Sequence, residues 1–300
     1  MDPNLKARLI RVCRDIGSPL STHVESLIRA DKEEELARLS VNPNDYDTST
    51  SYKADAALCA LFSSNESLDT SIDRKSVALG KWWESEHLCC LTNSRFTNYL
   101  SGFYGQDDWR LIEFLDKVRK RIANILGPLP THGFRGVMGP GSTYETAGSS
   151  CAKSLTAVDK IEAASATRAV IELTNYRIFQ DRYLTPHIFG CGGSVALVRG
   201  SRWTSVPKNA LSERSIAMEP GLNIYLQLGV ESVLWSRLNR HGLDKTTAQH
   251  HHRILARDAL KLGLATLDLS MASDLWAANA VRFLLSLSPG WLSLFESLRC

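Results

Sequence analysis

Apolar residues recur at helical spacing over much of the first 130 positions. Leu5, Leu9, Ile10, Val12 and Ile16 form one stripe, and residues 4–39 as a whole read as helical, with a charged stretch, Asp31-Lys-Glu-Glu-Glu, inside them. The pattern breaks over residues 41–52, where Asn-Pro-Asn-Asp and a Ser/Thr run predict a loop. It resumes over 54–62 and 76–90, the second segment carrying adjacent Trp82 and Trp83, which suit packing or base stacking. A further helix is predicted from 108 to 126. Trp109, Leu111, Ile112, Leu115, Val118, Ile122 and Ile125 line one face, and Arg110, Lys117, Arg119, Lys120 and Arg121 the other. Such a basic face is either solvated or meets phosphate.

The later pattern is more mixed. Residues 151–178 are Ala-rich and read as one long helix, followed by a connector over 183–193 with Pro186 and three glycines. Short β-type runs then appear at 195–198, 203–206 and 215–218. Residues 221–240 read as an amphipathic helix closed by Gly242, and 249–262 as a basic helix. Three adjacent histidines, His250 to His252, project about 100° apart on such a helix and do not converge on one ion. The apolar run 264–267, preceded by Gly263, predicts a buried strand that ends on Asp268, with another helical pattern from Trp276.

Composition adds little. The 300 residues are 44% hydrophobic and 22% charged, as expected of a globular chain. A net charge of +3 permits a nucleic-acid partner without indicating one. Seven cysteines, an odd number with no C-x-x-C pair, suggest neither a disulfide framework nor a zinc site. No apolar run approaches the roughly 18 residues that span a bilayer. These features predict an intracellular chain with no membrane partner.

Three stretches carry candidate chemistry. A buried strand that ends on a carboxylate must satisfy it, and a bound divalent cation is one solution. Asp268 is that carboxylate. The bland alternatives are a turn at Asp268 and a helix cap at Ser273 or Asp274. The second stretch is glycine-rich, Gly133-Phe-Arg135-Gly136-Val-Met-Gly139-Pro-Gly141-Ser142-Thr143. Its spacing approaches that of a phosphate-binding P-loop, but Ser142 stands where the lysine belongs and no strand precedes it. The third is the basic segment 195–218, in which Arg199, Arg202, Lys208 and Arg214 face only Glu213 before Glu219. A hairpin of this kind suits a triphosphate, or is simply a solvated one.

The string Thr266-Leu-Asp268-Leu269-Ser-Met-Ala-Ser273-Asp274 resembles motif A of RNA-directed RNA polymerases, specifically the replicases of leviviruses, the small positive-strand RNA bacteriophages. The string Val206-Pro-Lys208-Asn, continuing through Arg214 to Glu219-Pro220, resembles their motif F, and the glycine-rich loop resembles one in their fingers. The resemblance covers roughly residues 130–290. It implies an α+β fold of right-hand polymerase type: helix-rich fingers over 1–190, a small basic β element with connecting helices over 191–260, and the first strand and helix of a palm over 261–300. It implies RNA-templated RNA synthesis with two Mg²⁺ ions, ligated here by Asp268 and the Leu269 carbonyl. Lys208 and Arg214, helped by Arg199 and Arg202, would hold the incoming nucleoside triphosphate. Asp274, with Ser273, would meet its ribose. Arg135, Gly139, Gly141, Ser142 and Thr143 would meet RNA. Implied partners are the template, nucleoside triphosphates, host elongation factors Tu and Ts and ribosomal protein S1, in the cytoplasm of the bacterial host.

The family's G-D-D string is absent from these residues. The chain is therefore expected to be the N-terminal part of a replicase and inactive alone, since one carboxylate does not hold two metal ions. Two other readings stay open: a non-catalytic RNA-binding module using residues 108–126 and 195–218, and a phosphatase-like enzyme with Asp268 as nucleophile, for which position 270 is Ser rather than the usual Asp.

Overall fold

The computed structural model describes residues 1–107, 109–131, 133–139, 141–146, 164–175, 195–265, 267 and 269–300. Among these the chain is helix-rich with two small sheets, the α+β composition the sequence predicts. It divides into two compact units. The first is Met1–Glu84 with Trp203–Ile216, and the second is Ser85–Arg202 with Ala217–Cys300.

The first unit holds α1 (Pro3–Ile16), α2 (Pro19–Arg29), α3 (Glu33–Ala37), α4 (Ser49–Ser63) and the start of α5 (Arg74–Leu100). Several helix boundaries have a local cause. Asp2 caps α1 by accepting from the Asn4 and Leu5 N–H groups, with Pro3 at the first helical position. Gly17, at φ +65°, ends it. Ser18 caps α2 through the Ser21 N–H. Thr48 does the same for α4 through Ser51, so the Ser/Thr run predicted as loop is in part a helix start. The core is Leu9, Val24, Leu27, Ile28, Leu36, Leu58 and Phe62. Each such side chain contributes about 1.5–3 kcal/mol when fully buried. Buried Asp55 accepts from the Ser18 hydroxyl at 2.6 Å and the Tyr46 hydroxyl at 2.9 Å, tying three segments together.

In the second unit α6 (Trp109–Leu126), α7 (Arg168–Asn175), α8 (Gly221–Arg240), α9 (Lys245–Leu262), α10 (Ala278–Leu284) and α11 (Pro289–Leu298) join the rest of α5. Helix α8 is the centre. Its Leu222, Tyr225, Leu226 and Val230 pack with Phe134, Val170, Trp291, Leu294 and Leu298. It ends as predicted: the Leu243 N–H bonds the Leu238 carbonyl, and Gly242, at φ +80°, bonds Asn239. Two-residue strands β1 (Ser165–Ala166) and β2 (Ala196–Leu197) pair in parallel, Ser165 opposite Ala196. The sequence predicts helix throughout 151–178. Residues 164–167 are instead extended, because the buried Ala164 and Ala166 carbonyls are satisfied by the Ala196 and Val198 N–H groups. Residues 151–163, 176–178 and the connector 183–193 lie outside the described residues.

None of the described residues of the predicted buried strand at 264–267 lies in a strand. Helix α9 stops at Gly263, at φ +62°, and the described residues that follow are irregular and exposed: Leu264 46%, Leu267 88% and Leu269 74%. A strand needs a ladder partner, and neither sheet among the described residues includes this run.

Candidate functional site

The basic hairpin is built as its sequence suggests. Strands β3 (Arg202–Pro207) and β4 (Glu213–Met218) pair through a connection of residues 208–212, too short for anything but an antiparallel pair. Asn209 shapes the tip. Its side-chain oxygen accepts from the Leu211 and Ser212 N–H groups, at 3.1 and 2.9 Å. Ala210 is fully buried in the first unit's core, its carbonyl held by the Thr70 hydroxyl at 3.1 Å. Ser215 donates to the Ala78 carbonyl, and the Lys75 ammonium sits over the Trp203 ring.

Among the described residues, no acid pairs with the hairpin's cations. Glu213, the acid the sequence places among them, accepts from the Ser205 hydroxyl instead. Lys208, Arg214 and Arg199 are exposed and form no ion pair among the described residues. Arg202 donates to the Tyr144 carbonyl at 3.2 Å and lies over the Tyr144 ring. Lys208 and Arg214 belong to the first unit, Arg199 and Arg202 to the second. Cations left solvated in this way are free to meet an anion by charge-assisted hydrogen bonds.

Helix α6 differs. Lys117 pairs with Glu113, Lys120 and Arg119 pair with Asp116, and Arg119 stacks on Phe283 while bonding Ser286. Its basic face is largely matched by its own acids.

The glycine-rich loop is first a packing device. A Cβ at Gly136 would lie 1.9 Å from the Tyr225 ring, and one at Gly229 would lie 2.4 Å from the Arg135 carbonyl oxygen. Both glycines let the loop cross α8 at backbone distance, which the Val137 N–H uses by bonding the Tyr225 carbonyl at 3.0 Å. Thr143 is buried and pairs with Thr146, whereas Arg135, Gly141 and Ser142 are exposed and Gly139 is half-buried. Behind the loop, Glu145 accepts from the Ser165 N–H and from the Gly221 N–H, the latter at 3.0 Å at the start of α8. Burial raises its pKa, but the hydrogen bonds from Ser165 and Thr143 outweigh that and hold the carboxyl below its ordinary range. Sequence reading gave no role to Glu145. It carries no motif, and its partners are 20 and 76 residues away.

Asp268, the predicted metal ligand, lies outside the described residues. Around it, Leu269 is exposed, and residues 270–275 form a turn. Asp274 and Ser273 are exposed, the Ser273 hydroxyl donating to the Asp274 carboxylate at 3.1 Å. Neither caps the following helix. Helix α10 begins at Ala278 with Ala277 in the cap position and no side-chain cap. That removes the bland reading for Asp274, whose carboxylate is directed to solvent. Exposed carboxylate and carbonyl oxygens are the donors hard cations take, but no three His, Cys, Asp or Glu side chains among the described residues converge on one point.

The described residues thus show, separately, a hairpin with exposed cations and a turn with an exposed carboxylate. The family model described as RNA replicase, beta-chain, matches residues 6–300, and the chain belongs to that family. It is 26% identical over 268 residues to the RNA-directed RNA polymerase subunit beta of Escherichia virus Qbeta, covering 87% of this chain and 43% of that protein. It is 41% identical over 124 residues to the corresponding subunit of Enterobacteria phage SP, covering 39% and 21%. To the beta chain of Escherichia phage MS2 it is 38% identical over 78 residues, covering 26% and 14%. The chain spans less than half the length of these relatives. No helix among the described residues is long and apolar enough to cross a membrane.

Proposed function

We propose that this chain supplies the nucleotide-engaging and first metal-binding residues of an RNA-directed RNA polymerase that replicates a phage genome. The single observation that carries the proposal is the hairpin whose exposed cations, Lys208 and Arg214, like Arg199 just before it in sequence, form no ion pair among the described residues while Glu213 turns to Ser205. The names of the relatives supply the reaction.

In this reading Lys208 and Arg214 hold the triphosphate and offset the charge of the transferring phosphoryl group. Arg199 and Arg202 assist. Asp274, kept at the surface beside Ser273, accepts from the ribose 2′-hydroxyl, the group that distinguishes RNA precursors from DNA precursors. Asp268 and the Leu269 carbonyl would hold magnesium, which when bound activates the attacking hydroxyl and steadies the leaving phosphate. Two ions need more carboxylates than these residues provide, so the chain alone is expected not to incorporate nucleotides. Arg135, Gly139, Gly141 and Ser142 would meet the template; Thr143 would act only by shaping the loop. The matched charges of α6 weigh against a purely RNA-binding role.

The test is ATP binding by the chain in the presence of Mg²⁺. Replacing Lys208 and Arg214 together by Ala is expected to weaken it about tenfold or more, with a smaller salt dependence. Unchanged affinity, or no ATP binding by the unmodified chain, would overturn the proposal.

A further inference from the structure

Helix α5 carries no recognisable motif, yet one of its faces is spent on a single task. Ser85, Cys89, Asn93 and Thr97 recur at every fourth residue and therefore share that face. All four bond to residues 271–279, at sequence separations of 182 to 186. The Ser85 hydroxyl donates to the Met271 sulfur at 3.2 Å, and the Cys89 thiol to the Asp274 carbonyl at 3.3 Å. Asn93 accepts from the Asn279 N–H at 2.8 Å, and the Asn279 amide donates to the Asn93 carbonyl and to the Thr97 hydroxyl at 2.9 Å. Ala277 and Ala280 pack with Cys89 and Phe96 behind these bonds. Burial, then Glu86, then Asp274 push the Cys89 thiol up, so it stays protonated and able to donate.

The face does more than cover the turn. Met271 sits at φ +52°, a left-handed conformation that non-glycine residues adopt at a cost and keep only where their surroundings over-determine it. The Ser85 bond and the Asp274 and Leu275 N–H bonds to the Met271 carbonyl supply that determination. Three residues on, the backbone of Asp274 is pinned while its carboxylate stays exposed.

We propose that this face of α5 is a positioning device that fixes the 271–279 turn so that Asp274 meets the nucleotide sugar, making Cys89 and Asn93 determinants of ribose over deoxyribose selection. The sugar role rests on the reading of Asp274 given above; the bracing of the turn does not.

Two readouts separate these parts. In the 300-residue chain, Cys89→Ala and Asn93→Ala are expected to speed hydrogen exchange of the turn amides about five- to tenfold, as loss of one net hydrogen bond would. They should also lower the preference for ATP over dATP in Mg²⁺-dependent binding by a similar factor, leaving dATP affinity unchanged. Cys89→Ser, which keeps a donor, should restore both. Unchanged exchange would overturn the bracing. Faster exchange with an unaltered ATP-to-dATP ratio, in a chain that binds both, would overturn the sugar-selecting role. An unmodified chain that binds neither nucleotide would refute the functional reading, and the sugar role with it, while the exchange result alone would still decide the bracing.

Discussion

The hairpin and the run 264–267 are both read as strand from sequence, yet one is a sheet and the described residues of the other are irregular. Both hold short β-prone runs, and both abut charged residues proposed to meet a nucleotide. Strand β3 has its partner five residues further on, and its tip carries Ala210 into a core. The run has no ladder partner among the described residues, and Leu267 and Leu269 stay in water. The lesson is that β propensity marks a surface that fits a sheet, while the neighbouring strand decides whether one exists. An exposed apolar run of this kind invites pairing with another strand.

The largest expected effect comes from attacking the hairpin's anchor. Ala210→Asp would bury an unpaired charge in the first core and cost about 4 kcal/mol or more, read as loss of cooperative thermal unfolding. Asn209→Ala removes the acceptor that organises the tip and leaves two N–H groups to find water, costing about 1–2 kcal/mol in denaturant unfolding. At the hairpin's exit, Glu145 holds the start of α8. Its lowered pKa stabilises the fold above the ordinary carboxylate pKa, and that stability is lost as pH falls through the lowered value. Glu145→Gln should flatten the acid limb of a stability-versus-pH curve. The smallest effect belongs to the run: Leu267→Ser should change the stability of this chain by about 0.5 kcal/mol or less. A large loss there would mean that the run is paired after all, and would erase the contrast.

How much was legible in advance follows the range of the interactions. Helix stripes, the Gly242 terminus and the hairpin are local, and their residues announce them. The glycines at 136 and 229 were visible, but their reason was not. A close crossing of loop and helix involves residues about 90 positions apart, and the loop alone suggests phosphate equally well. Residues 164–167 extend because of a partner at 196–198, which helix propensity does not register. The α5 face was invisible for the same reason: Ser85, Cys89 and Asn93 look ordinary until the turn lies against them. Lys208, Arg214 and Asp274, named from the family strings as nucleotide contacts, are exposed, while Asp268 lies outside the described residues.

The most direct measurement is therefore on Asp268 itself. Mg²⁺-dependent ATP binding and RNA binding are compared for the chain and its Asp268→Asn variant. The account predicts that ATP affinity falls about tenfold or more while RNA affinity and the unfolding midpoint hold steady. Equal loss of both affinities, or ATP binding indifferent to the substitution, would contradict it.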